Sequence, residues 1–223
     1  ERRKGLSAAN IEAAIEDSLS RLGTDYLDVY FAHIDDQEVP LEETLGAFDR
    51  LIKAGKVRAI GASNYSSDRL EQALAVSRDH GFARYELIQP LYNLHDRADF
   101  ESSLAKVASE HNLGVVSYFS LASGFLTGKY AQLSDLEGNP RADFLNGYFS
   151  DRGQRILDTL MAVSQEASAK PSQVALAWLL HQPELTAPIV SATSLSQLDE
   201  ILASVKLSLP EEMLSRLDAA SRQ

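Results

Sequence analysis

Polar side chains stand at the point where each of five short apolar segments ends. They are His33, Ser63 with Asn64, Gln89, Tyr118 with Ser120, and Ser191 with Thr193. A neutral imidazole at such a point can donate to a carbonyl oxygen or take part in proton transfer. Hydroxyl and amide groups can hold a flat ligand amide. A single polar residue would be weak support for a site, but five in succession favour one shared pocket.

Structural interpretations of the same residues stay open. A lone histidine such as His33 is more often a satisfied, half-buried side chain than a functional one. Ser63 and Asn64 could simply cap the following helix, and Tyr118 could be a ring of the core. Gln89 could bond a ligand carboxamide or only the backbone of a neighbouring strand, and the sequence favours neither.

A second group of residues could bind an anion. The segment SYFSLASGFLTGKY, residues 117–130, mixes small residues and glycines with Lys129. Its backbone N–H groups could line a diphosphate, and Arg141 could approach the same anion or be solvated. Thr193 and Gln197 flank the predicted start of a helix, whose free N–H groups and dipole favour negative charge. The alternative is that Ser194 merely caps that helix.

The elements that must position these residues alternate between strand and helix. Four apolar runs begin near residues 27, 57, 85 and 114, which gives intervals of 30, 28 and 29 residues. A strand, a crossover helix and a second strand at this spacing form a βαβ unit with parallel strands. The predicted strands, including a fifth after a long irregular stretch at 122–150, are residues 27–33, 57–63, 85–89, 114–119 and 187–191.

Five parallel strands with flanking helices fit two architectures, an open doubly wound sheet or part of a (β/α)₈ barrel. No G-x-G-x-x-G follows any predicted strand, so the dinucleotide-binding form of the open sheet lacks its fingerprint. A complete (β/α)₈ barrel needs eight strands and typically ~250 residues. We expect a single partial (β/α)-barrel domain over residues 1–223, with the long loop at about 122–150 near the site.

Composition argues against several classes of function and site. The 223 residues carry a formal net charge of −11 and include no cysteine. The acidic balance argues against broad nucleic-acid binding, and disulfide and thiolate metal sites are excluded. His33 is followed by Asp35 and Asp36, but without further ligands at metal-binding spacing we expect no metal. No apolar run is long enough to span a membrane, and we expect no membrane partner and a cytoplasmic location.

Six segments together resemble the aldo-keto reductases, close to the bacterial branch that is also similar to potassium-channel beta subunits. They are SLSRLGTDYLDVYFAH, ETLGAFDRLIKAGKVRAIGASNYS, LIQPLYNL, SLASGFLTGKY, PSQVALAWLL and SATSLSQLDEIL, which stand in family order and cover nearly the whole chain. The resemblance implies a (β/α)₈ barrel of the aldo-keto reductase type. It also implies NADP(H)-dependent hydride transfer to a small-molecule aldehyde or ketone.

The resemblance also implies roles for single residues. His33 matches the catalytic histidine that helps to place and polarise the carbonyl. The other matched or neighbouring positions would contact the cofactor. Ser63, Asn64 and Gln89 match the contacts to the nicotinamide carboxamide, and Tyr118 matches the aromatic residue that stacks on the nicotinamide ring. Phe119, Ser120, Leu121, Ser123, Lys129 and Arg141 would lie along the diphosphate, and Ser191, Thr193, Gln197 and Glu200 at the adenosine and 2′-phosphate end.

The sequence departs from the family pattern in several places. Phe119 and Ser120 stand where the branch usually has Ser-Pro, and Ile201 replaces an asparagine that contacts adenine. Gln197 replaces an arginine, which weakens the expected preference for NADPH over NADH. No residue matches the family's catalytic Asp, Tyr and Lys, which belong to its first three strands, and we expect the chain to start inside the family sequence. The alternatives are an inactive relative that binds NADPH or a partner, or an inert fragment.

Overall fold

The computed structural model of the chain describes residues 4–130, 132–138 and 142–222. Parallel strands alternate with helices through most of this part. The strands are β1 Leu27–Ala32, β2 Val57–Ser63, β3 Tyr85–Gln89, β4 Gly114–Ser117 and β5 Ala187–Pro188. The α-helices are α1 Ala8–Leu22, α2 Leu41–Lys53, α3 Ser67–His80, α4 Ala105–Glu110, α5 Ala142–Leu145, α6 Asp151–Glu166, α7 Pro171–Leu180, α8 Leu195–Ala203 and α9 Glu211–Ser221.

Tertiary contacts divide the chain into two compact units. Unit 1 contains the described residues up to Pro90 together with Ser103–Val115. Unit 2 contains Leu91–Ser102 and the described residues from Val116 onward. The boundary falls within β4, so the first half of this strand pairs in unit 1 and the second half in unit 2. The expectation of a single domain over the whole chain stays a prediction.

Unit 1 is a run of parallel strands covered by helices. Strand β1 pairs with β2, β2 with β3, and β3 with the first half of β4. Helix α1 buries Ile11 and Ile15 and ends at Gly23, whose φ of 66° gives the left-handed turn that glycine adopts at little cost. Phe48 of α2 packs edge-to-face on Tyr30 and Tyr85, with centroids 5.7 and 6.4 Å apart. These contacts fix the strands against the helices, so the strand ends are held in place.

Unit 2 joins the second half of β4 to β5 and packs four longer helices around them. Val116 and Ser117 pair in parallel with Ala187 and Pro188. The core centres on Trp178 of α7, which is fully buried and donates from Nε1 to Asp218 of α9 at 3.1 Å. Buried indole N–H groups usually need such a partner. Helix α7, which carries Trp178, is apolar on nearly all sides, as expected for a helix inside a core.

The prediction of an α/β fold with parallel strands is confirmed, but three strands are shorter than expected, β1 by one residue, β4 by two and β5 by three. Strand β4 ends at Ser117 rather than at 119, because Phe119 has a φ of 51°, which no strand residue adopts. Strand β5 ends at Pro188, which has no N–H to donate to a ladder. The Ile189 N–H then makes a last bond of 2.8 Å to the Ser117 carbonyl. The backbone therefore leaves the strand pairing after Ser117 and Ile189, and the polar residues lie in the segments that follow.

The structure adds two observations on classes of site. None of the described helices combines the length and the apolar character that a membrane crossing requires. Among the described residues, no three His, Asp or Glu side chains are grouped so that they could hold a metal ion.

Candidate functional site

In unit 1 the ends of β1, β2 and β3 are joined by side-chain hydrogen bonds. The Asn64 Nδ2 group donates to the His33 carbonyl at 2.8 Å and to Ser63 Oγ at 3.1 Å. The Ser63 hydroxyl donates to the Gln89 carbonyl at 2.9 Å. Asn64 has a φ of 56°, a conformation in which asparagine is several-fold enriched among non-glycine residues. The four residues predicted for the nicotinamide side of the site therefore lie together at one edge of unit 1.

These bonds also decide which of the four side chains still have polar groups to offer a ligand. The Ser63 side chain is buried and its single proton is used on Gln89, so Ser63 mainly holds two strand ends together. The Gln89 side-chain amide has no hydrogen-bond partner among the described residues, and the residue is half-buried at the end of its strand. The His33 side chain is exposed. Gln89 and His33 are thus the members of the set that can meet a ligand with unspent polar groups.

The loop after β1, which carries His33, is fixed to α3 by an ion pair. Arg69 Nε lies 3.0 and 3.1 Å from the two carboxylate oxygens of Asp35, and both side chains are largely buried. Next to Asn64, the Tyr65 hydroxyl lies 3.1 Å from that of Tyr85, and burial raises the pKa of Tyr65 to about 12. Both phenols therefore stay neutral, and His33 projects from a backbone that is held on both sides.

In unit 2 the predicted stacking residue lies on a sharp turn after β4. The Tyr118 ring is partly exposed and contacts the Phe119 ring edge-on at 5.4 Å. Burial raises the pKa of Tyr118, and the charge of Asp96 adds to the effect. The Ser120 side chain is fully buried and donates to the Ile189 carbonyl at 2.9 Å. A ligand could therefore reach the Tyr118 ring, but Ser120 has no exposed surface for it to contact.

The loop that follows has an unusual backbone and one exposed cation. Ala122, Ser123 and Gly124 have φ values of 48°, 56° and 101°, and the Leu121 carbonyl accepts from the Gly124 N–H at 2.8 Å. A Cβ atom on Gly124 would lie 3.3 Å from Cε of Lys129. The Lys129 side chain is thus packed close against the buried Gly124, and its exposed ammonium group could meet an anion. Arg141 lies outside the described residues.

The predicted adenosine end is the start of helix α8. The Thr193 N–H and hydroxyl both donate to Gln197 Oε1, at 2.7 and 3.0 Å. Ser194 caps the helix by accepting from the Gln197 N–H at 3.2 Å, so this structural role is real. Ser191 is exposed two residues before Thr193. The segment presents hydroxyl, amide and N–H groups at a helix N-terminus, where an anion is favoured.

Glu200, on the same helix, is bonded to a lysine and a serine of α7 and its N-cap. Lys170 Nζ lies 2.5 Å from Glu200 Oε2, and the Ser172 hydroxyl donates to Oε1. Burial acts against ionisation, but the hydrogen bonds from Lys170 and Ser172 outweigh it and lower the pKa of Glu200. The carboxylate therefore stays charged, but its field is offset by the ammonium group. This pairing reduces the repulsion that Glu200 would exert on a nearby phosphate.

The sequence analysis missed a polar cluster in unit 2. Asp96 accepts hydrogen bonds from Asn93 Nδ2 at 3.0 Å, from the Tyr148 hydroxyl at 2.6 Å and from His95 Nδ1 at 3.1 Å. Burial acts against ionisation, but these bonds outweigh it and hold the pKa of Asp96 below its ordinary value. Asn93 also donates to the Phe119 carbonyl at 3.0 Å. The asparagine and aspartate three residues apart are a turn signal that could have pointed to it.

The family of the chain is defined by comparison with known proteins. The sequence profile of the aldo/keto reductase family matches residues 1–222. The uncharacterized oxidoreductase YrpG of Bacillus subtilis is 33% identical over 96% of this chain and 64% of its own length. A candidate voltage-gated potassium channel subunit beta of Schizosaccharomyces pombe is 33% identical over the same two shares. The L-glyceraldehyde 3-phosphate reductase of Escherichia coli is 29% identical, again over 96% and 64%.

The chain therefore belongs to the aldo/keto reductase family, and the resemblance stated from the sequence is confirmed. The predicted fold class, the (β/α)₈ type with about five strands present, is confirmed with it. The chain spans 64% of the length of each of these three relatives. The roles of the individual site residues stay predictions.

Proposed function

We propose that the protein reduces an aldehyde or ketone to an alcohol by NADP(H)-dependent hydride transfer. The observation that carries the proposal is the hydrogen-bonded group of strand ends in unit 1. There Asn64 joins His33 to Ser63, and Ser63 joins Asn64 to Gln89. In a member of the aldo/keto reductase family, this set has the chemistry for a carbonyl group and a carboxamide. The cytoplasmic location also stays a prediction.

Each residue of this set has a task that its chemistry supports. When bound, a reduced nicotinamide supplies the hydride. The His33 imidazole can donate a hydrogen bond to the carbonyl oxygen of the substrate and so stabilise the negative charge that develops there. The Gln89 amide can donate to and accept from the carboxamide of the cofactor. Asn64 and Ser63 hold the His33 and Gln89 backbones through hydrogen bonds to their carbonyl oxygens.

Unit 2, taken by itself, offers groups that suit parts of a dinucleotide. The partly exposed ring of Tyr118 offers a face for stacking. The exposed ammonium group of Lys129 suits a diphosphate. The N-terminus of α8, with Thr193 and Gln197, suits a 2′-phosphate or a ribose hydroxyl. These fits support a nicotinamide dinucleotide as the cofactor.

The choice between NADPH and NADH depends on the α8 segment. A guanidinium would bind a 2′-phosphate more strongly than the neutral amide of Gln197 does. We expect the variant Gln197→Arg to bind NADPH at least about tenfold tighter relative to NADH. The change is measured by titrating each cofactor and following its fluorescence. An unaltered ratio would contradict the assignment of α8 to the 2′-phosphate end.

The names of two relatives support different parts of the proposal. The Escherichia coli relative is named as a reductase of L-glyceraldehyde 3-phosphate, which supports an aldehyde as the substrate class. The Schizosaccharomyces pombe relative is named as a channel subunit, and it motivates a second candidate function, cofactor binding without turnover.

One experiment separates the two candidates. NADPH oxidation is followed with 4-nitrobenzaldehyde and with methylglyoxal, and NADPH binding is measured on the same preparation. The reductase proposal predicts turnover that falls about a hundredfold or more in His33→Ala, with NADPH affinity unchanged. The exposed His80 on α3 provides the matched control, His80→Ala, which should keep wild-type turnover. Tight NADPH binding with both carbonyl compounds left untouched would instead establish the binding function.

A further inference from the structure

The Asp96 cluster lies outside the groups that the proposed reaction uses. Asp96 is a partly buried carboxylate in the turn after β3, and its oxygens accept from Asn93, His95 and Tyr148. Three donors on one carboxylate make an arrangement with little freedom to move, because charged hydrogen bonds are short and strong. Its donors come from two regions of unit 2 that are far apart in sequence.

The first connection runs to the turn that carries Tyr118. Asn93 is fully buried, and its Nδ2 group donates both to Asp96 and to the Phe119 carbonyl. Its Oδ1 atom accepts from the N–H groups of His95 and Asp96, at 2.8 and 2.9 Å. The Asn93 amide therefore uses all four of its hydrogen-bonding positions. Phe119 has a φ of 51°, and a bulky residue stays in such a conformation only when its surroundings impose it.

The second connection runs to the end of the long loop. Tyr148 is buried, and its hydroxyl donates to Asp96 at 2.6 Å. Its ring stacks on Phe125 with the centroids 5.3 Å apart and the planes 17° apart. Phe125 lies near the start of the loop and Tyr148 near its end. Both ends of the described loop thus meet at the Tyr148 ring, whose hydroxyl reaches Asp96.

The long loop also contacts the turn that carries Tyr118 and Phe119. Phe144, on the short helix α5 of the loop, lies with its ring 6.1 Å from that of Phe119. The two rings are 63% and 46% exposed, although both are apolar. This open aromatic pair lies next to Tyr118, which contacts Phe119 edge-on. The loop therefore contacts the Tyr118–Phe119 turn through this aromatic pair.

We propose that Asp96 is a positioning residue that sets the cofactor affinity of unit 2. Through Asn93 it fixes the Tyr118–Phe119 turn, and through Tyr148 it ties the end of the long loop to the same point. The inference rests on the proposed function, because it assigns cofactor stacking to Tyr118. Asp96 acts through these two partners, and, besides burial, its charge also raises the pKa of Tyr118.

The test compares two tyrosines whose hydroxyl groups donate to different carboxylates. Tyr148→Phe removes only the hydroxyl that reaches Asp96. Tyr92→Phe is the matched control, because the Tyr92 hydroxyl also donates to a carboxylate, Glu101, at 2.9 Å from a buried ring. Neither change alters ring packing. The proposal predicts that NADPH binds about tenfold more weakly to Tyr148→Phe, while Tyr92→Phe keeps the wild-type affinity.

Hydrogen exchange of the cofactor-free protein gives a second readout. Exchange of the backbone amides in residues 119–127 should be faster in Tyr148→Phe than in Tyr92→Phe, relative to wild type. If Tyr148→Phe matches Tyr92→Phe in both measurements, the proposal is overturned. If the wild-type protein binds no NADPH, the proposed function fails, and the exchange data alone decide the positioning role. Should Tyr148→Phe not fold, Asp96→Asn replaces it in the same comparison.

Discussion

Replacement of Asp96 by asparagine is the sharpest test of the cluster as a source of stability. The two side chains have nearly the same shape, so the change removes a charge and little volume. Asp96 Oδ2 accepts from both Asn93 and Tyr148, and Oδ1 accepts from His95 Nδ1. An asparagine can keep the two bonds at Oδ2 only if its NH₂ group faces His95. The imidazole must then change tautomer and accept at Nδ1.

The expected loss of stability follows from these three contacts. Hydrogen bonds to a charged group contribute about 1.5–3 kcal/mol each, against about 0.5–1.5 kcal/mol for neutral ones. Since asparagine retains neutral versions of at least two contacts, and Asp96 is partly exposed, we expect Asp96→Asn to lose about 2 kcal/mol at pH 7. For a chain of this size, that loss lowers the melting temperature by about 4–8 °C.

The same loss must depend on pH in one direction. The pKa of Asp96 is held below its ordinary value of 3.8 in the folded protein. A lowered pKa stabilises the fold above the pKa of the unfolded chain, and the contribution disappears as pH falls through the folded value. Hence the difference between wild type and Asp96→Asn should be constant between about pH 7 and pH 5. It should shrink below about pH 4.

Urea unfolding of both proteins at four pH values, from about 7 to 3, measures this difference directly. A difference below about 0.5 kcal/mol at pH 7 would refute the claim that the charge is strongly bonded. A difference that is the same at pH 3 as at pH 7 would refute the role of ionisation. If the difference has already vanished at pH 5, the pKa of Asp96 is not lowered.

Substitutions at four further positions probe the backbone and one helix cap. Asn64→Ala should be about 1 kcal/mol less stable than Asn64→Gly in urea, because both lose the amide but only glycine adopts a φ of 56° freely. Gly153→Ala should prevent stable folding, since its Cβ would lie 1.7 Å from the Tyr148 carbonyl oxygen. Gly147→Ala, with open space around it, should melt like wild type by circular dichroism. Ser194→Ala should cost about 1 kcal/mol through loss of the α8 cap, as seen in urea unfolding.

Much of the fold was predictable because helix and strand leave different periods in the sequence. The start of each strand from β1 to β4 agrees with the apolar runs, since buried parallel strands are apolar on both faces. The ends were less predictable. Phe119 continues an apolar run in the sequence, yet its backbone turns sharply, and its carbonyl accepts from the Ala122 N–H and from buried Asn93. A contact between residues that are distant in sequence leaves no local pattern.

The candidate site was also predictable only in part. His33 and Gln89 could be selected because each polar residue closes an apolar strand. The use of the Ser63 hydroxyl as a bond between strands could not, because it depends on the register of β2 against β3. His95 received no role from the sequence, since the position of its ring beside Asp96 and Tyr148 depends on tertiary packing.

Trp178 gives the molecule an optical label that belongs to one unit alone. It is the single tryptophan of the sequence, and it is fully buried in unit 2 with Arg97 stacked 4.8 Å above its ring. Its emission should be blue-shifted while unit 2 is folded and should move to the red when water reaches the indole. Unit 1 contributes only to the far-ultraviolet signal of the helices and strands. Comparison of the two signals during unfolding therefore measures whether the units melt as one cooperative block or in succession.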